Sequence, residues 1–293
     1  MKIVNIIGGI GNQMFQYAFA LSLKEKFPNE EVLLDMSHFN GYDLHNGFEI
    51  DKVFGAKLPY ATKRELRQVS YYAPNYKLSR LLRKLLGYKK TEFKEPSLFT
   101  YWGDKTFSID HDCYYEGSWQ NEKYFKDIEQ IIKEAFVFKR ELNEQNNKLL
   151  NRIILSNSVA IHIRRGDYLL EDAYKNICDL PYYINAINYI KNNVENPTFY
   201  IFSNDAEWCR RNIHPLCGAA EVIDWNGGSD SWIDMYLMSL CKHNIIAHSS
   251  FSWWSAWLND NKHKIVVSPK KWFNHKDVVD TPQLEDWILM DNA

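Results

Sequence analysis

A pair of adjacent arginines is the first feature of this chain that could do chemistry. Arg164 and Arg165 stand in the segment HIRRGDY, residues 162–168, directly after an apolar run at 159–161 that predicts a buried strand. Ligands bind where the strands of an open α/β sheet give way to loops. Since a guanidinium group is permanently charged and its fork matches phosphate oxygens, the segment predicts a clamp for the phosphate or pyrophosphate of a nucleotide-type ligand. A surface ion pair at a strand end is the alternative interpretation.

Two more polar loops follow predicted strands in the second half of the chain. They are Ser-Asn-Asp at 203–205 and Ser-Ser-Phe-Ser at 249–252. In a parallel sheet, all three loops would gather at the carboxyl edge. The second of these loops leads into a predicted helix, and a helix N-terminus binds phosphate through its exposed N–H groups. Helix capping by Ser250 or Ser252, with nothing bound, is the alternative.

A glycine-rich turn, GGIGNQM at 8–14, follows the first predicted strand and has the form of a dinucleotide-binding fingerprint. The match is incomplete because Met14 occupies the third glycine position, although Asp35 lies at about the distance expected for a ribose-binding acid. A purely structural turn is the alternative. In either case, the amides of Asn12 and Gln13 could hydrogen-bond sugar hydroxyls.

A metal site is the less favoured interpretation of Asp110-His111-Asp112. The Asp-x-Asp form binds a divalent metal in one class of sugar-nucleotide transferases, but the same pattern is common in turns, and we predict a turn.

The five cysteines are scattered and have no zinc spacing, which favours a reduced, cytosolic compartment. The sequence therefore predicts no bound metal.

Short strands alternate with helices along most of the chain, which predicts an α/β protein with parallel sheets. The length of 293 residues favours two domains, with the boundary near residue 150. The predicted strands lie at residues 3–7, 31–34, 159–163, 198–202, 221–224, 244–247 and 265–268. The predicted helices lie at residues 14–26, 77–90, 124–136, 140–155, 181–193, 206–213, 231–240 and 252–259.

The composition is that of an ordinary globular protein, with 45% hydrophobic and 25% charged residues. A net charge of −2 argues against nucleic acid as a partner. No apolar run is long enough for a signal peptide or a membrane span, so we expect a cytoplasmic protein. The basic amphipathic segment at 77–90 could lie peripherally on an anionic membrane surface, or it could pack its leucines against the domain.

Five segments, in this order, resemble the α-1,2-fucosyltransferases of glycosyltransferase family eleven, especially the soluble bacterial members. They are GGIGNQMFQYA at 8–18, EGSWQNEKYF at 116–125, HIRRGDY at 162–168, FSND at 202–205 with Trp208, and SFSWWSAWL at 250–258. Ser118 departs from the family pattern, where an aromatic residue is expected, and this leaves the acceptor preference open.

The resemblance implies a GT-B-like fold, in which two Rossmann-type domains face each other across a cleft. Residues 1–150 would form the acceptor-side domain and residues 151–293 the GDP-fucose-binding domain, while a final helix could pack back on the first domain. It also implies GDP-β-L-fucose as donor, the 2-hydroxyl of a terminal β-galactoside as acceptor, inversion at the anomeric carbon, and no obligatory metal or other cofactor. The glycan would be a precursor of a surface polysaccharide on a lipid carrier, at the inner face of the bacterial inner membrane.

The resemblance also distributes roles among the loops. Arg164 and Arg165 would neutralise the departing diphosphate, one of them by contact and the other by bracing the loop. Guanosine would be bound by His162, Asn204 and Asp205. The remaining phosphate oxygens would be held by Ser249, Ser250, Phe251 and Ser252.

The acceptor side of the reaction is less determined. Asn12 would lie near fucose and the acceptor. The base for the acceptor hydroxyl could be Asp167, Asp35 or Glu116, and no strong base is needed if bond cleavage runs well ahead of attack. Asp167 could instead orient the arginines.

Three other functions stay open on the sequence. One is transfer of a different nucleotide sugar by the same architecture. Another is an NAD-dependent oxidoreductase, which the glycine turn favours and Met14 opposes. The third is a non-catalytic module that binds a sugar or a nucleotide.

Overall fold

The computed structural model of the chain describes residues 1–42, 44–275, 278 and 280–291, and it gives the backbone but not the side chain of Asp167. The chain divides into two compact units, Met1–Lys139 and Arg140–Ala293. The expected boundary at 150 falls inside the helix Glu144–Leu155 of the second unit. This helix is part of the second unit because it packs on a strand and a helix there, with Leu149 and Ile153 buried.

The first unit is built on a parallel sheet of four strands. These are β1 (Lys2–Asn5), β2 (Val32–Asp35), β3 (Glu92–Lys94) and β4 (Cys113–Glu116), in the order β2-β1-β4-β3. The helices are α1 (Ile10–Lys26), α2 (Ile50–Phe54), α3 (Lys63–Val69), α4 (Tyr76–Leu86), α5 (Gly103–Thr106) and α6 (Glu129–Ala135). The central strand β1 is wholly buried, as expected for a strand that pairs on both sides and is covered on its faces.

The glycine turn after β1 is tighter than the sequence predicted. Helix α1 begins at Ile10 rather than at Met14, because Gly8 takes a left-handed φ of 93° and Gly9 is the N-cap residue. Asn12 therefore lies in the first turn of α1, at the carboxyl end of β1.

Sequence reasoning missed strands β3 and β4, which lie in the stretch with the least regular pattern. Their pairing is non-local: β4 pairs with β1, and β3 pairs with β4. Helix α4 ends at Leu86 rather than at residue 90, because Gly87 has a φ of 71° that terminates it. The helix predicted at 124–136 is reduced to α6, preceded by two short 3₁₀ turns.

The second unit contains a parallel sheet of six strands. These are β5 (Asn157–Ile163), β6 (Pro197–Ser203), β7 (Ala220–Ile223), β8 (His243–Ile245), β9 (Val266–Pro269) and β10 (Ile288–Met290). The helices are α7 (Glu144–Leu155), α8 (Leu180–Asn193), α9 (Ala206–Asn212), α10 (His214–Cys217), α11 (Trp232–Ser239) and α12 (Ser250–Trp257). Its core joins the apolar side chains of β5 and β6 to the buried face of α8.

The strand order of this sheet is β10-β9-β8-β5-β6-β7. The chain runs outward from β5 on one side and then outward from β8 on the other, so the strand order reverses between β5 and β8. Such a reversal opens a crevice at the carboxyl ends of the two strands, where open α/β sheets bind ligands.

The expected α/β class with two parallel sheets is confirmed. The expected final helix is wrong for the described residues, whose C-terminal element is the strand β10, paired with β9 of its own sheet. In the part of the chain that the structure describes, no helix has the length and apolar character needed to span a bilayer.

Candidate functional site

The three polar loops of the second unit lie at one edge of its sheet. Strand β5 pairs in parallel with β6 and with β8, so the loops that follow these three strands emerge side by side. Arg164 and Arg165 come directly after β5, at the reversal of strand order. The predicted convergence of the loops is therefore what the fold produces.

Arg165 ties the first loop to the second. Its backbone N–H donates to Oδ1 of Asn204 at 2.9 Å, and its Nε donates to Oδ2 of Asp205 at 3.2 Å. Its guanidinium carbon lies 4.0 Å from the centre of the Trp208 ring. Asp205 also caps α9, because its Oδ1 accepts the Trp208 N–H at 3.1 Å. Asn204 and Asp205, expected to bind guanosine, thus hold the arginine loop in this structure.

Arg164 points toward a different aromatic group. Its guanidinium carbon lies 5.3 Å from the centre of the Tyr168 ring, and Tyr168 stacks on Tyr174 with the ring centres 4.5 Å apart. The two arginines therefore have different surroundings, although they are neighbours in the chain. The side chain of Asp167, the expected base or orienting group, lies outside the described residues.

Gly166 allows the arginine loop to approach the second loop closely. Its φ is 29°, and a Cβ at this position would lie 2.6 Å from Nδ2 of Asn204. A larger residue would be strained and would displace the side chain that holds the Arg165 backbone.

Two buried histidines lie near the carboxyl ends of β5 and β8: His162 in β5, and His248 in the segment that follows β8. The His162 ring packs on Phe251 at 5.4 Å, and Nδ1 of His248 lies 3.1 Å from Sγ of Cys178. The pKa of each is lowered to about 3, mainly by burial and, at His162, also by the nearby charge of Arg164, so both rings are neutral. Among the described residues, His162 Nδ1 and His248 Nε2 have no hydrogen-bond partner. His248 was not predicted as a site residue. Its position in the sequence, directly before the serine loop, is the signal from which it could have been predicted.

The serine loop is a capped helix start. Helix α12 begins at Ser250, and the cap is Ser249, whose Oγ accepts the Phe251 N–H at 3.4 Å. The alternative interpretation, a cap at Ser250 or Ser252, is wrong as to the residue. The Ser252 hydroxyl is buried and donates to the carbonyls of Ala247 and Ser249, so it cannot also bind a phosphate as a donor. The N-terminus of α12 still faces the same edge of the sheet as Arg164.

The first unit has its own cavity, about 300 Å³ in volume, at the carboxyl edge of its sheet. It is lined by the turn after β1, by α4 and by the segments that follow β3 and β4. Asn12 lines this cavity and accepts a hydrogen bond from Gln120 Nε2 at 2.9 Å. Gln13 is not available to a ligand in the cavity. Its Nε2 donates to the carbonyls of Gly8 and Gly47, and its Oε1 accepts the Glu49 N–H.

Two of the expected bases are engaged in the scaffold. Asp35 is buried and accepts hydrogen bonds from the Tyr114 hydroxyl and the Ser37 N–H, both at 2.8 Å. It is a structural group rather than a ribose ligand. Glu116 lines the cavity but pairs with Arg83 at 2.9 Å, and Arg83 also pairs with Glu92 at 2.9 Å.

Glu95 is the cavity carboxyl that sequence reasoning missed. It follows β3, the strand that was not predicted, so nothing in the pattern placed it at a sheet edge. Its Oε2 accepts the N–H groups of Ser118 at 2.7 Å and Trp119 at 3.2 Å. Burial raises its pKa to about 7.

The segment Asp110-His111-Asp112 lies in the loop before β4, in keeping with the turn that the sequence predicted. Asp112 accepts a hydrogen bond from the amino group of Met1 at 2.7 Å, and Asp110 is 97% exposed. Lys2 donates to the carbonyls of Ile109 and His111. Within the described ranges, no group of three or more His, Cys, Asp or Glu side chains is arranged to hold a metal ion.

A family model and two relatives match nearly the whole chain, and a third relative matches about half of it. The family model described as Glycosyl transferase family 11 matches residues 1–291. An alpha-1,2-colitosyltransferase of Escherichia coli is 32% identical over 99% of this chain and 98% of its own length. The O-antigen biosynthesis glycosyltransferase WbnK of Escherichia coli is 30% identical over 96% and 97%. Galactoside alpha-(1,2)-fucosyltransferase 1 of Ateles belzebuth is 30% identical over 46% of this chain and 40% of its own length.

Solved structures of similar fold include fucosyltransferases. NodZ from Bradyrhizobium superposes with a TM-score of 0.54 at 13% identity, covering 87% of this chain and 90% of that one. NodZ alpha-1,6-fucosyltransferase soaked with GDP-fucose gives a TM-score of 0.52 at 13% identity, covering 88% and 91%. At this identity the likeness concerns the fold alone, and the expected GT-B-like fold is confirmed.

Proposed function

This chain belongs to glycosyl transferase family 11, and from that premise we propose that it transfers L-fucose from GDP-β-L-fucose to the 2-hydroxyl of a terminal β-galactoside, with inversion. The observation that carries the proposal is the position of Arg164, directly after β5, where the strand order of the second sheet reverses. Nucleoside diphosphates bind at this point of a doubly wound sheet. A relative named galactoside alpha-(1,2)-fucosyltransferase 1, which is 30% identical over 46% of this chain, supports fucose as the sugar.

In this proposal Arg164 holds the diphosphate of the donor. Negative charge grows on the diphosphate as the bond to the sugar breaks, and a guanidinium placed beforehand stabilises that charge. The N–H groups at the start of α12, from Ser250 and Phe251, hold further phosphate oxygens together with the Ser249 loop. No metal is required, since Arg164 and the helix N-terminus supply the positive potential.

Arg165 is the positioning residue of the pair. Its contacts to Asn204, Asp205 and Trp208 hold the loop from which Arg164 extends. His162 and His248 present neutral ring nitrogens that can exchange hydrogen bonds with the nucleoside. Asn12 contributes its amide to the acceptor in the cavity of the first unit, and Asp167 orients the arginines.

A second donor is favoured by a specific finding. The relative that is 32% identical over nearly the whole chain is named a colitosyltransferase. Colitose is L-fucose without its 3-hydroxyl, so the two GDP-sugars share the diphosphate and most of the sugar ring. A pocket that hydrogen-bonds the 3-hydroxyl would favour fucose strongly, whereas one that packs apolar atoms there would favour colitose by a smaller factor.

A donor panel with product analysis tests the proposal. The protein is incubated with N-acetyllactosamine and with GDP-L-fucose, GDP-L-colitose, GDP-mannose, UDP-galactose or an ADP-sugar, and release of each nucleotide is measured. We expect GDP release from GDP-L-fucose and a product whose NMR spectrum shows a new linkage at O2 of galactose. A kcat/KM that is greater with GDP-L-colitose than with GDP-L-fucose would show that colitose, and not fucose, is the preferred donor sugar. Binding of GDP without turnover of any donor would favour a non-catalytic module.

The oxidoreductase alternative loses its supporting residue. Asp35, the candidate ribose ligand, is buried and hydrogen-bonded to Tyr114 and Ser37. No enhancement of NADH fluorescence is therefore expected when the protein is added.

The acceptor that we propose is a lipid-linked precursor of a surface polysaccharide, handled at the cytoplasmic face of a membrane. The name of one relative, an O-antigen biosynthesis glycosyltransferase, supports this acceptor class. On α4, the leucines at 78, 81, 85 and 86 are 44–70% exposed, beside Lys77 and Lys84. That exposure favours peripheral membrane contact over packing against the domain.

Liposome sedimentation tests the membrane contact. We expect binding to vesicles that contain phosphatidylglycerol, little binding to pure phosphatidylcholine, and loss of binding in the double variant Leu81→Gln, Leu85→Gln. Equal sedimentation of the double variant and the wild type would remove α4 from the proposal.

A further inference from the structure

The cavity of the first unit has the size and chemistry of a small-molecule site. Its volume of about 300 Å³ is at the lower end of the range of about 300–1,000 Å³ for ligand pockets. It lies beside β1 and β4, which are neighbours in the sheet although they are separated by β2 and β3 in the chain. The cavity therefore lies at the carboxyl ends of two strands that are adjacent in the sheet but remote in the chain.

The lining of the cavity suits a saccharide. Tyr42 and Tyr76 pack edge to face with the ring centres 5.3 Å apart, and the Arg80 guanidinium lies 5.7 Å from the Tyr76 ring. Asn12 adds a polar amide, and Lys94 adds a positive charge. Apolar ring faces combined with donors and acceptors match a sugar ring, which has C–H faces and hydroxyl edges.

Glu95 differs from the other carboxyl of the cavity. Glu116 is paired with Arg83, whereas no ion pair to Glu95 occurs among the described residues. Glu95 is only 7% exposed, and its Oε2 accepts two backbone N–H groups. Its Oε1 is buried and has no hydrogen-bond partner in the described part of the chain. Since buried acceptors in native proteins are nearly always satisfied, a ligand hydroxyl is a fitting donor to this atom.

We infer that Glu95 is a catalytic residue, whose Oε1 accepts the proton of the acceptor hydroxyl during sugar transfer. The inference rests on the proposed function and assigns the proton acceptor that this function needs. In the step, the O–H bond of the acceptor breaks and its proton passes to Glu95. The acceptor oxygen bonds to C1 of the donor sugar, while the bond from C1 to the diphosphate oxygen breaks and its electron pair leaves with the diphosphate.

The surroundings of Glu95 suit a base that works near neutral pH. Its pKa of about 7, raised by burial, balances the fraction of ionised carboxylate against its basicity. The ionic side chains around the same cavity are His38, Arg80, Arg83, Lys94 and Glu116. The phenols nearby are Tyr42 and Tyr76 in the cavity and Tyr124 behind it. Burial lowers the pKa of His38 and raises the pKa of Tyr124 from its ordinary, already basic value, so neither group titrates near pH 7.

The variant Glu95→Gln tests the inference. Glutamine keeps an oxygen that can accept the Ser118 and Trp119 N–H groups but cannot take a proton. We expect kcat/KM to fall by about 10²–10⁴-fold, the range for loss of a general base, with GDP affinity unchanged in calorimetry. The wild-type kcat/KM should rise with pH through about 7, and the residual activity of the variant should lack this rise.

Two further variants separate catalysis from folding. Glu49→Gln alters another buried glutamate whose pKa is raised by burial and which does not line the cavity, so it should keep the wild-type activity and pH profile. Glu95→Asp keeps a carboxylate on a shorter side chain, so it should keep more activity than Glu95→Gln and retain a pH-dependent rise.

Three results would overturn the inference. One is activity in Glu95→Gln within a few-fold of wild type. Another is a pH-dependent rise that persists in that variant, since it would assign the proton acceptor to another group. The third is the absence of sugar transfer by the wild-type protein from any GDP-sugar. This result would refute the proposed function itself, and it differs from the other two because it is seen without any mutation.

Discussion

The guanidinium group of Arg165 forms a cation–π contact with the Trp208 ring, with the guanidinium carbon 4.0 Å from the ring centre. Arg165 comes from the loop after β5, and Trp208 from helix α9, which follows β6. The contact therefore links the ends of two neighbouring strands. A guanidinium over an indole is among the stronger cation–π geometries, and the Arg165 side chain is only 18% exposed.

Replacing Arg165 by lysine tests this bracing contact. Lysine keeps the charge but loses the flat stack and the Nε–H bond to Asp205, so the free energy of unfolding should fall by about 0.5–2 kcal/mol. Urea unfolding measures the change. Arg152→Lys is the matched control, because Arg152 forms an exposed pair with Glu221, and it should change stability by less than about 0.5 kcal/mol. Equal effects of the two substitutions would contradict the bracing role.

Arg164→Ala should have the opposite profile, with a large loss of binding and little loss of stability. A charge-assisted contact to phosphate is worth about 1.5–3 kcal/mol, which corresponds to GDP binding weaker by roughly 10–150-fold. Calorimetry with GDP measures it. Arg211→Ala removes an arginine paired on the surface of α9 with Glu207 and should leave GDP binding unchanged. A wild-type dissociation constant in Arg164→Ala would refute the clamp.

Gly166→Ala should disturb the same loop without removing a functional group. The new Cβ would lie 2.6 Å from Nδ2 of Asn204 at a φ of 29°, so Asn204 must move away from the Arg165 N–H. Strain of this kind costs about 1–3 kcal/mol of stability, and GDP binding should weaken with it. Gly227→Ala, where a Cβ meets no atom within 4 Å, is the control for thermal unfolding. Identical melting temperatures in the two variants would show that the loop tolerates a side chain.

Turnover should continue in excess EDTA. The proposed stabilisation of the diphosphate uses Arg164 and the start of α12, and Asp112 is occupied by the amino group of Met1. GDP release is followed with and without the chelator. Loss of activity that Mn²⁺ restores would return Asp110-His111-Asp112 to consideration as a metal site.

A buried acid in the second unit should make stability depend on pH. Burial raises the pKa of Asp234 to about 7, well above the ordinary value of about 3.9 for an aspartic acid, and Asn226 donates to its Oδ1 at 2.9 Å. Between these pH values the folded state holds a proton that the unfolded state has lost, so this group makes stability fall as pH rises toward 7.

Asp234→Asn removes that titration and keeps an oxygen for Asn226. Its stability relative to wild type should therefore improve by roughly 1–3 kcal/mol between pH 5 and pH 8, as measured by urea unfolding at each pH. The same difference at both pH values would show that Asp234 is ionised in the folded protein at pH 5.

Much of the second unit could be predicted from the sequence because its signals are local. Apolar runs of β-branched residues predict the strands around 159–163 and 198–202, and their alternation with helices predicts parallel pairing. Parallel pairing alone then brings the loops after β5, β6 and β8 to one edge. The same local signals predict Arg164, Arg165 and the serine loop as candidate site residues.

The tertiary structure decided what each polar side chain does. The sequence cannot distinguish Arg164 from Arg165, and only the packing of α9 against the first loop assigns Arg165 to Trp208 and Asp205. The sequence makes Asp35 a candidate ribose ligand or base. In the structure its carboxylate accepts a hydrogen bond from the hydroxyl of Tyr114, a residue far away in the chain. Glu95 is placed at the edge of the first sheet by β3, and this strand forms because it pairs with β4. Burial and pairing depend on residues that are remote in sequence, and no local pattern encodes them.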